Sequence, residues 1–274
     1  MPLPFLTADD VAALGFVAAV DALEAALRGG LDPEADPPRS TVAVGDGELL
    51  VMPSAHGAVK LVTVGGEPRI QGVCVVFDPE TLAPAAVVDG IALTNLRTAA
   101  VSALAVRHLA APAPRRLLVF GRGPQAQAHA AALRAVLPSL EHVTLAGRDQ
   151  DHDVGDADVI CCCTTAREPL FDGARVADHA TVVAIGSHEP GAREVDGALA
   201  GRATVVVESL GSARREAGDV LLAIEEGVLR PEDLVPLAAL VRGAAVVDPQ
   251  RPRLFKSTGM AWEDAVVAAA LLVA

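Results

Sequence analysis

Leu117-Leu118-Val119-Phe120-Gly121-Arg122-Gly123-Pro124-Gln125-Ala126 reads as a strand, a glycine turn and the start of a helix. The apolar run beginning at Arg116 has the texture of a strand buried on both faces. Gly121 permits a tight turn, and Gly123 lets the backbone come close to an anion. The helix that starts near Gln125 then offers unpaired N–H groups and the positive end of its dipole. Ala126 holds the third place of the G-x-G-x-x-G pattern. Gly121, Gly123, Pro124, Gln125 and Ala126 are therefore candidate contacts to a dinucleotide pyrophosphate. The following strand, expected over 142–146, leads into Gly147-Arg148-Asp149. Arg148 could fork onto a ribose 2′-phosphate, while Asp149 one place later would oppose it. The pattern favours NADP, with NAD as the alternative.

Working outward, further strands are expected at 159–163, 181–185 and 203–207, with a helix at 125–137 and shorter helical pieces between strands. Strands alternating with helices imply a parallel sheet covered on both faces. Only residues 149–157 join the second and third of these strands. A parallel crossover needs a dozen or more residues, so the sheet must be trimmed on its adenine side.

Upstream, Thr7-Ala8-Asp9-Asp10 opens a helix that runs to Leu27 and ends at Gly29-Gly30. A Pro- and Asp-rich loop follows, then short strands at 40–44, 48–52, 59–64, 71–77 and 84–88, and a long helix at 91–109 with Arg97 and Thr98 near its start. Ala111-Pro112-Ala113-Pro114 reads as a linker. A strand-like 253–255 precedes a last helix at 260–273. The expected fold class is α/β, with a parallel-sheet domain shortened at 149–157.

Composition narrows the partners. Of the 274 residues 51% are apolar, yet there are six Phe, one Trp and no Tyr, so Ala, Val and Leu must fill the core. A net charge of −13 argues against nucleic acid and membrane surfaces. Cys161-Cys162-Cys163 are consecutive, and neighbouring strand residues point to opposite faces, which suits small core-filling thiols better than a disulfide. No spaced Cys or His pair suggests a metal. The N-terminus has no basic region of a signal peptide, and no apolar run is long enough to span a bilayer. A cytoplasmic location is expected.

Lys60 stands in a strand between apolar neighbours, and a charge so placed needs a partner or a route to water. It belongs to a larger pattern: Leu49-Leu50-Val51-Met52-Pro53, Val59-Lys60-Leu61-Val62-Thr63, Leu96-Arg97-Thr98-Ala99-Ala100-Val101-Ser102-Ala103, the segment from Ile185-Gly186-Ser187-His188 to Glu194-Val195-Asp196, Glu216-Ala217-Gly218-Asp219-Val220, and Phe255-Lys256-Ser257-Thr258-Gly259-Met260-Ala261-Trp262-Glu263-Asp264. Taken together and in order, these segments resemble the ornithine cyclodeaminase / mu-crystallin family, and most closely its imine reductase and amino-acid dehydrogenase branches.

The resemblance implies a two-part fold, a truncated Rossmann-type parallel-sheet domain at 113–252 and a mixed α+β domain from the two chain ends, 1–112 and 253–274, and a homodimer in which the chain-end domain forms the substrate pocket and dimer interface. It implies that Arg39, Lys60 and Arg97 hold the carboxylate of a small amino- or imino-acid substrate. Thr98, Ser187 and His188 would lie near the nicotinamide, and Lys60 and His188 are the candidate catalytic residues. Cyclodeaminases of the family carry an Asp where this chain has His188, and a pocket Glu where it has Leu50. Loss of both carboxylates removes groups proposed to move protons during ammonia loss, so simple hydride transfer at a C=N or C–N carbon fits better. Histidine is the side chain suited to giving up a proton near neutral pH, and His188 could protonate an imine nitrogen. Glu263 and Asp264 read mainly as acids favouring a helix N-terminus. The alternatives are an ornithine cyclodeaminase, in which His188 replaces the Asp, and a ligand-binding relative without turnover.

Overall fold

In a computed structural model, residues 3–147 and 152–273 are described. Contacts divide the chain into two compact units, residues 1–101 with 260–274 and residues 102–259.

The first unit is a mixed sheet with helices on one face. Its elements are β1 (Phe5–Leu6), α1 (Ala8–Arg28), β2 (Ser40–Val44), β3 (Gly47–Ser54), β4 (Ala58–Val64), β5 (Ile70–Phe77), β6 (Pro84–Asp89) and the start of α2 (Gly90–Leu109). The sheet order is β1-β6-β5-β4-β3-β2, antiparallel except for the β1–β6 pair. Thr7 caps α1 in a reciprocal box with Asp10, as the sequence suggested. Strand alternation sets the faces: Leu50, Met52, Ala58, Lys60, Val62, Cys74, Val76, Ala86 and Val88 are buried. Their neighbours Leu49, Val51, Val59, Leu61, Val73, Val75 and Val87 are only partly covered.

The second unit is a parallel sheet. In chain order it contains β7 (Arg116–Phe120), α3 (Pro124–Val136), β8 (His142–Ala146), β9 (Val159–Cys162), β10 (Thr181–Ala184), α4 (Gly197–Arg202), β11 (Thr204–Val207), α5 (Leu210–Glu216), α6 (Gly218–Glu225), β12 (Val235–Pro236), α7 (Leu237–Val241) and β13 (Arg253–Lys256). The last helix of the chain, α8 (Ala261–Leu271), belongs to the first unit. The order β12-β11-β13-β10-β9-β7-β8 is parallel throughout. All four residues of β9, of β10 and of β13 are buried, as strands covered on both faces should be. Among the described residues β8 is an edge strand, which agrees with the short 149–157 connection.

One expectation is corrected. Residues 253–256 were grouped with the chain-end domain, but β13 lies inside the parallel sheet, between β10 and β11. A four-residue strand carries no signal of which neighbours it will find, and its nearness in sequence to α8 was misleading.

Candidate active site

Each unit carries its own group of candidate residues. In the second, the glycine turn sits where the strand order changes direction, with β8 on one side of β7 and β9 on the other. Crevices at such points, beyond the carboxyl ends of strands, are where open α/β sheets bind ligands. Gly121 has φ +117°, and a Cβ there would lie 2.5 Å from the carbonyl oxygen of Cys163. No other residue fits that position without moving the strand ends. A Cβ at Gly123 would meet open space, so the room above the turn is unfilled. Gly123 caps α3 without a side-chain hydrogen bond, Pro124 occupies the first turn, and that turn holds no acid. Ala126 is buried against the turn. The cradle thus fits a pyrophosphate, whose oxygens would take N–H groups that nothing on a side chain competes for. Arg148 lies outside the described residues.

Buried charges fix the loops at the carboxyl edge of the same sheet. Glu194 accepts from the Thr164 N–H (2.8 Å) and hydroxyl (2.7 Å) and from the Gly186 N–H (2.7 Å), tying the segment after β9 to the one after β10. Burial pushes the Glu194 carboxyl up to about 7, against the pull of the Lys256 ammonium. Asp219 accepts from the N–H groups of Glu194 and Val195 and pairs with Lys256 at 2.8 Å. Lys256 also donates to the Ser187 carbonyl at 2.6 Å. Ser187 is buried within this frame, whereas His188, next to it, is exposed. Ser102, of the R-T-A-A-V-S-A stretch, meets His129 of α3 at 2.9 Å. The other ring nitrogen of His129 faces the Gln125 carbonyl at 2.7 Å, and a carbonyl only accepts, so Nδ1 carries the proton and Nε2 accepts from Ser102. Burial holds His129 down at about 4, and the ring is neutral.

In the first unit Lys60, on β4, pairs with Asp264 at 2.9 Å and makes a longer contact of 3.4 Å to the Thr94 hydroxyl. Arg97 pairs with Glu263 at 2.7 Å and, through Nε, with Asp264 at 3.1 Å. Lys60, Glu263 and Asp264 are each no more than 2% exposed. Burial, and next the nearby Arg97 charge, lower the Lys60 ammonium to about 8 despite the opposing Asp264. Two corrections follow. Glu263 and Asp264 do lie in the first turn of α8, but they face inward as counter-ions. Arg97 lies about two turns into α2, not at its head. Arg39 is half-buried just before β2. Ser40 faces Val51 and Met52 faces Lys60, so Arg39 stands level with Lys60, with β3 between them. Thr98 is buried on α2. Leu50 packs with Met52 and Ala261 in an apolar cluster.

The sequence reading missed Glu194, Asp219, Lys256, Glu263 and Asp264 as the groups that position the others. Their only signal was membership of the ordered motifs.

Fold and turn together define an α/β protein with a Rossmann-type unit. The sequence profile of the ornithine cyclodeaminase/mu-crystallin family matches residues 4–153 and 146–273, and the chain belongs to that family. The two matched stretches overlap at residues 146–153. The chain is 31% identical to the Delta(1)-pyrroline-2-carboxylate reductase of Colwellia psychrerythraea, over 73% of this chain and 72% of that one. It is 32% identical to the ketimine reductase mu-crystallin of Rattus norvegicus, over 85% and 82% respectively. Among solved structures, an archaeal alanine dehydrogenase dimer with bound NAD matches with a TM-score of 0.87 at 25% identity, over 99% of this chain and 95% of that one.

Proposed function

We propose that the protein is an NAD(P)-dependent reductase of small imino acids, able to run in reverse as an amino-acid dehydrogenase. The observation that carries this reading is the buried placing of two cations, Lys60 and Arg97, within one cluster. Like charges are brought together in a dry interior only when anions offset them. Asp264 and Glu263 do so in the free protein, and they hold both donors oriented for a substrate carboxylate. Arg97 offers a planar fork and Lys60 a point charge, a combination suited to that group. Arg39 joins them from the loop before β2. A dinucleotide bound at the glycine turn would supply or accept the hydride. NADP is the favoured form.

His188, exposed after β10, is the proposed proton donor to the nitrogen, and Ser187 and Thr98 are the proposed contacts to the nicotinamide. The reductase names of the two relatives support this reading. Ornithine cyclodeamination is less suited to this site: Leu50 is buried among apolar groups and has no proton to give. The partly covered ladder Val51, Leu61 and Val73, beside Val59, Val75 and Val87, supports a homodimer formed across this face. Four free cysteines, three of them buried, fit a reducing cytoplasm. Among the described residues no helix is long and apolar enough to cross a membrane.

Calorimetric titration with NADPH and NADH tests the cofactor, and oxidation of NADPH in the presence of cyclic imine carboxylates tests the reaction. Sedimentation of the same sample tests the dimer. Saturable binding and imine-dependent turnover are expected. No binding of either dinucleotide at millimolar concentration would overturn the reading.

A further inference from the structure

We propose that Arg122, the variable residue inside the glycine turn, reads the 2′-phosphate of a bound NADP(H). This rests on the dinucleotide reading above and assigns its nucleotide preference to a residue of the turn itself.

Three observations converge. First, the turn is docked on the end of the second strand of the unit: the Gly121 N–H donates to the Ala146 carbonyl at 3.0 Å, and the Gln127 side chain donates to the Arg122 carbonyl at 3.3 Å. Second, the Arg122 guanidinium lies over Gly147. A Cβ built on Gly147 would be 3.1 Å from Cζ, 3.2 Å from Nη2 and 3.3 Å from Nε. Near-equal distances to three atoms of a planar group mean that its face rests on the glycine. The absent side chain makes the room that the guanidinium fills. Third, the residues there are Leu145, Ala146 and Gly147.

The end of this strand is where a Rossmann unit reads the adenosine ribose. A carboxylate at that place accepts from the 2′-hydroxyl of NAD and repels a 2′-phosphate. Through Gly147 the strand end carries no carboxylate, Asp149 following two places later, and the Arg122 guanidinium lies over that glycine. Arg122 is exposed, and the strand end it covers belongs to β8, an edge strand among the described residues. Its planar fork matches phosphate oxygens two at a time.

The test compares the affinities of NADPH and NADH, and of adenosine 2′,5′-bisphosphate and 5′-AMP, for wild type, Arg122→Ala, Arg122→Lys and Arg148→Ala by calorimetry. Circular dichroism checks that each variant is folded. Wild type should hold each 2′-phosphorylated ligand more tightly than its partner. Arg122→Ala should weaken NADPH on the order of 10-fold or more, as expected for hydrogen bonds to a charged group. NADH should change less than about 2-fold, since it lacks the group being read. Arg122→Lys should keep part of the preference.

Unchanged NADPH affinity in Arg122→Ala, with the loss appearing in Arg148→Ala, would overturn the proposal. Equal weakening of NADPH and NADH would also overturn it and show adenine stacking or a disturbed turn. Wild type that binds NADH without preferring NADPH removes this inference alone. Wild type that binds neither removes the dinucleotide reading as well.

Discussion

Each unit buries a lysine–aspartate pair, Lys60–Asp264 at 2.9 Å in one and Lys256–Asp219 at 2.8 Å in the other, and the surroundings differ. Asp219 also accepts two backbone N–H groups, and Lys256 donates to a backbone carbonyl. Every strong partner there is a fixed part of the fold. Around Lys60 there is a second cation, Arg97, and a second carboxylate, Glu263. Burial first, and then the Arg97 charge, lower Lys60 to about 8 despite the opposing Asp264. The Lys256 pair is a staple for the loops at the sheet's carboxyl edge. In the proposed function the Lys60 cluster takes one more anion, the substrate carboxylate.

The largest expected effect tests the staple. Lys256→Met leaves Asp219 buried without its cation, and breaking such a pair costs about 3–5 kcal/mol. Two backbone donors remain to Asp219, so the lower end is expected, with a fall in Tm of roughly 10 °C for a protein of this size. The Km of the surviving folded enzyme for an imino acid should change little.

Lys60→Met should do the reverse. Asp264 keeps Arg97 at 3.1 Å, which limits the loss of stability. The substrate loses a charge-assisted hydrogen bond, so kcat/KM for a carboxylate substrate should fall on the order of 100-fold. A Tm collapse in Lys60→Met with unchanged kinetics would reverse the assignment of the two pairs.

The same contrast explains what could be read from the sequence. The glycine turn was legible because its chemistry is local: adjacent residues supply the strand, the turn and the helix start. Lys60 was legible as a charge in an apolar strand, but its partner is 204 residues away. Nothing in the first turn of α8 separates an acid that faces solvent from one that faces inward, so Glu263 and Asp264 looked like ordinary helix acids. The shortness of the 149–157 connection is a matter of chain length alone, and β8 is an edge strand among the described residues. The place of β13 was not, because strand order depends on long-range packing. Arg122 drew no notice because its meaning depends on Gly147, which it reaches only once the turn is docked on β8.

The smallest expected effect is a pH dependence, and its sign follows from Lys60. Its ordinary value near 10.5 is lowered to about 8 by burial and by Arg97. Between pH 8 and 10.5 the unfolded chain holds this proton and the folded chain does not. The contribution of Lys60 to stability therefore rises with pH through that window, and below pH 8 the full cost of burying the ammonium is present. Substrate binding runs the other way. A neutral amine no longer attracts a carboxylate, so kcat/KM should fall above pH 8 by up to about 10-fold per unit. A bound carboxylate favours the charged amine, so the limb in kcat should lie at higher pH than the limb in kcat/KM. An imine also titrates in its own right, and that contribution is common to all variants. Arg does not titrate in this range, so Lys60→Arg should lose the limb due to the lysine and keep the substrate's own. A limb near pH 8 that persists in Lys60→Arg would belong to the substrate or to another group, and the crowding of Lys60 with Arg97 would then have no bearing on catalysis.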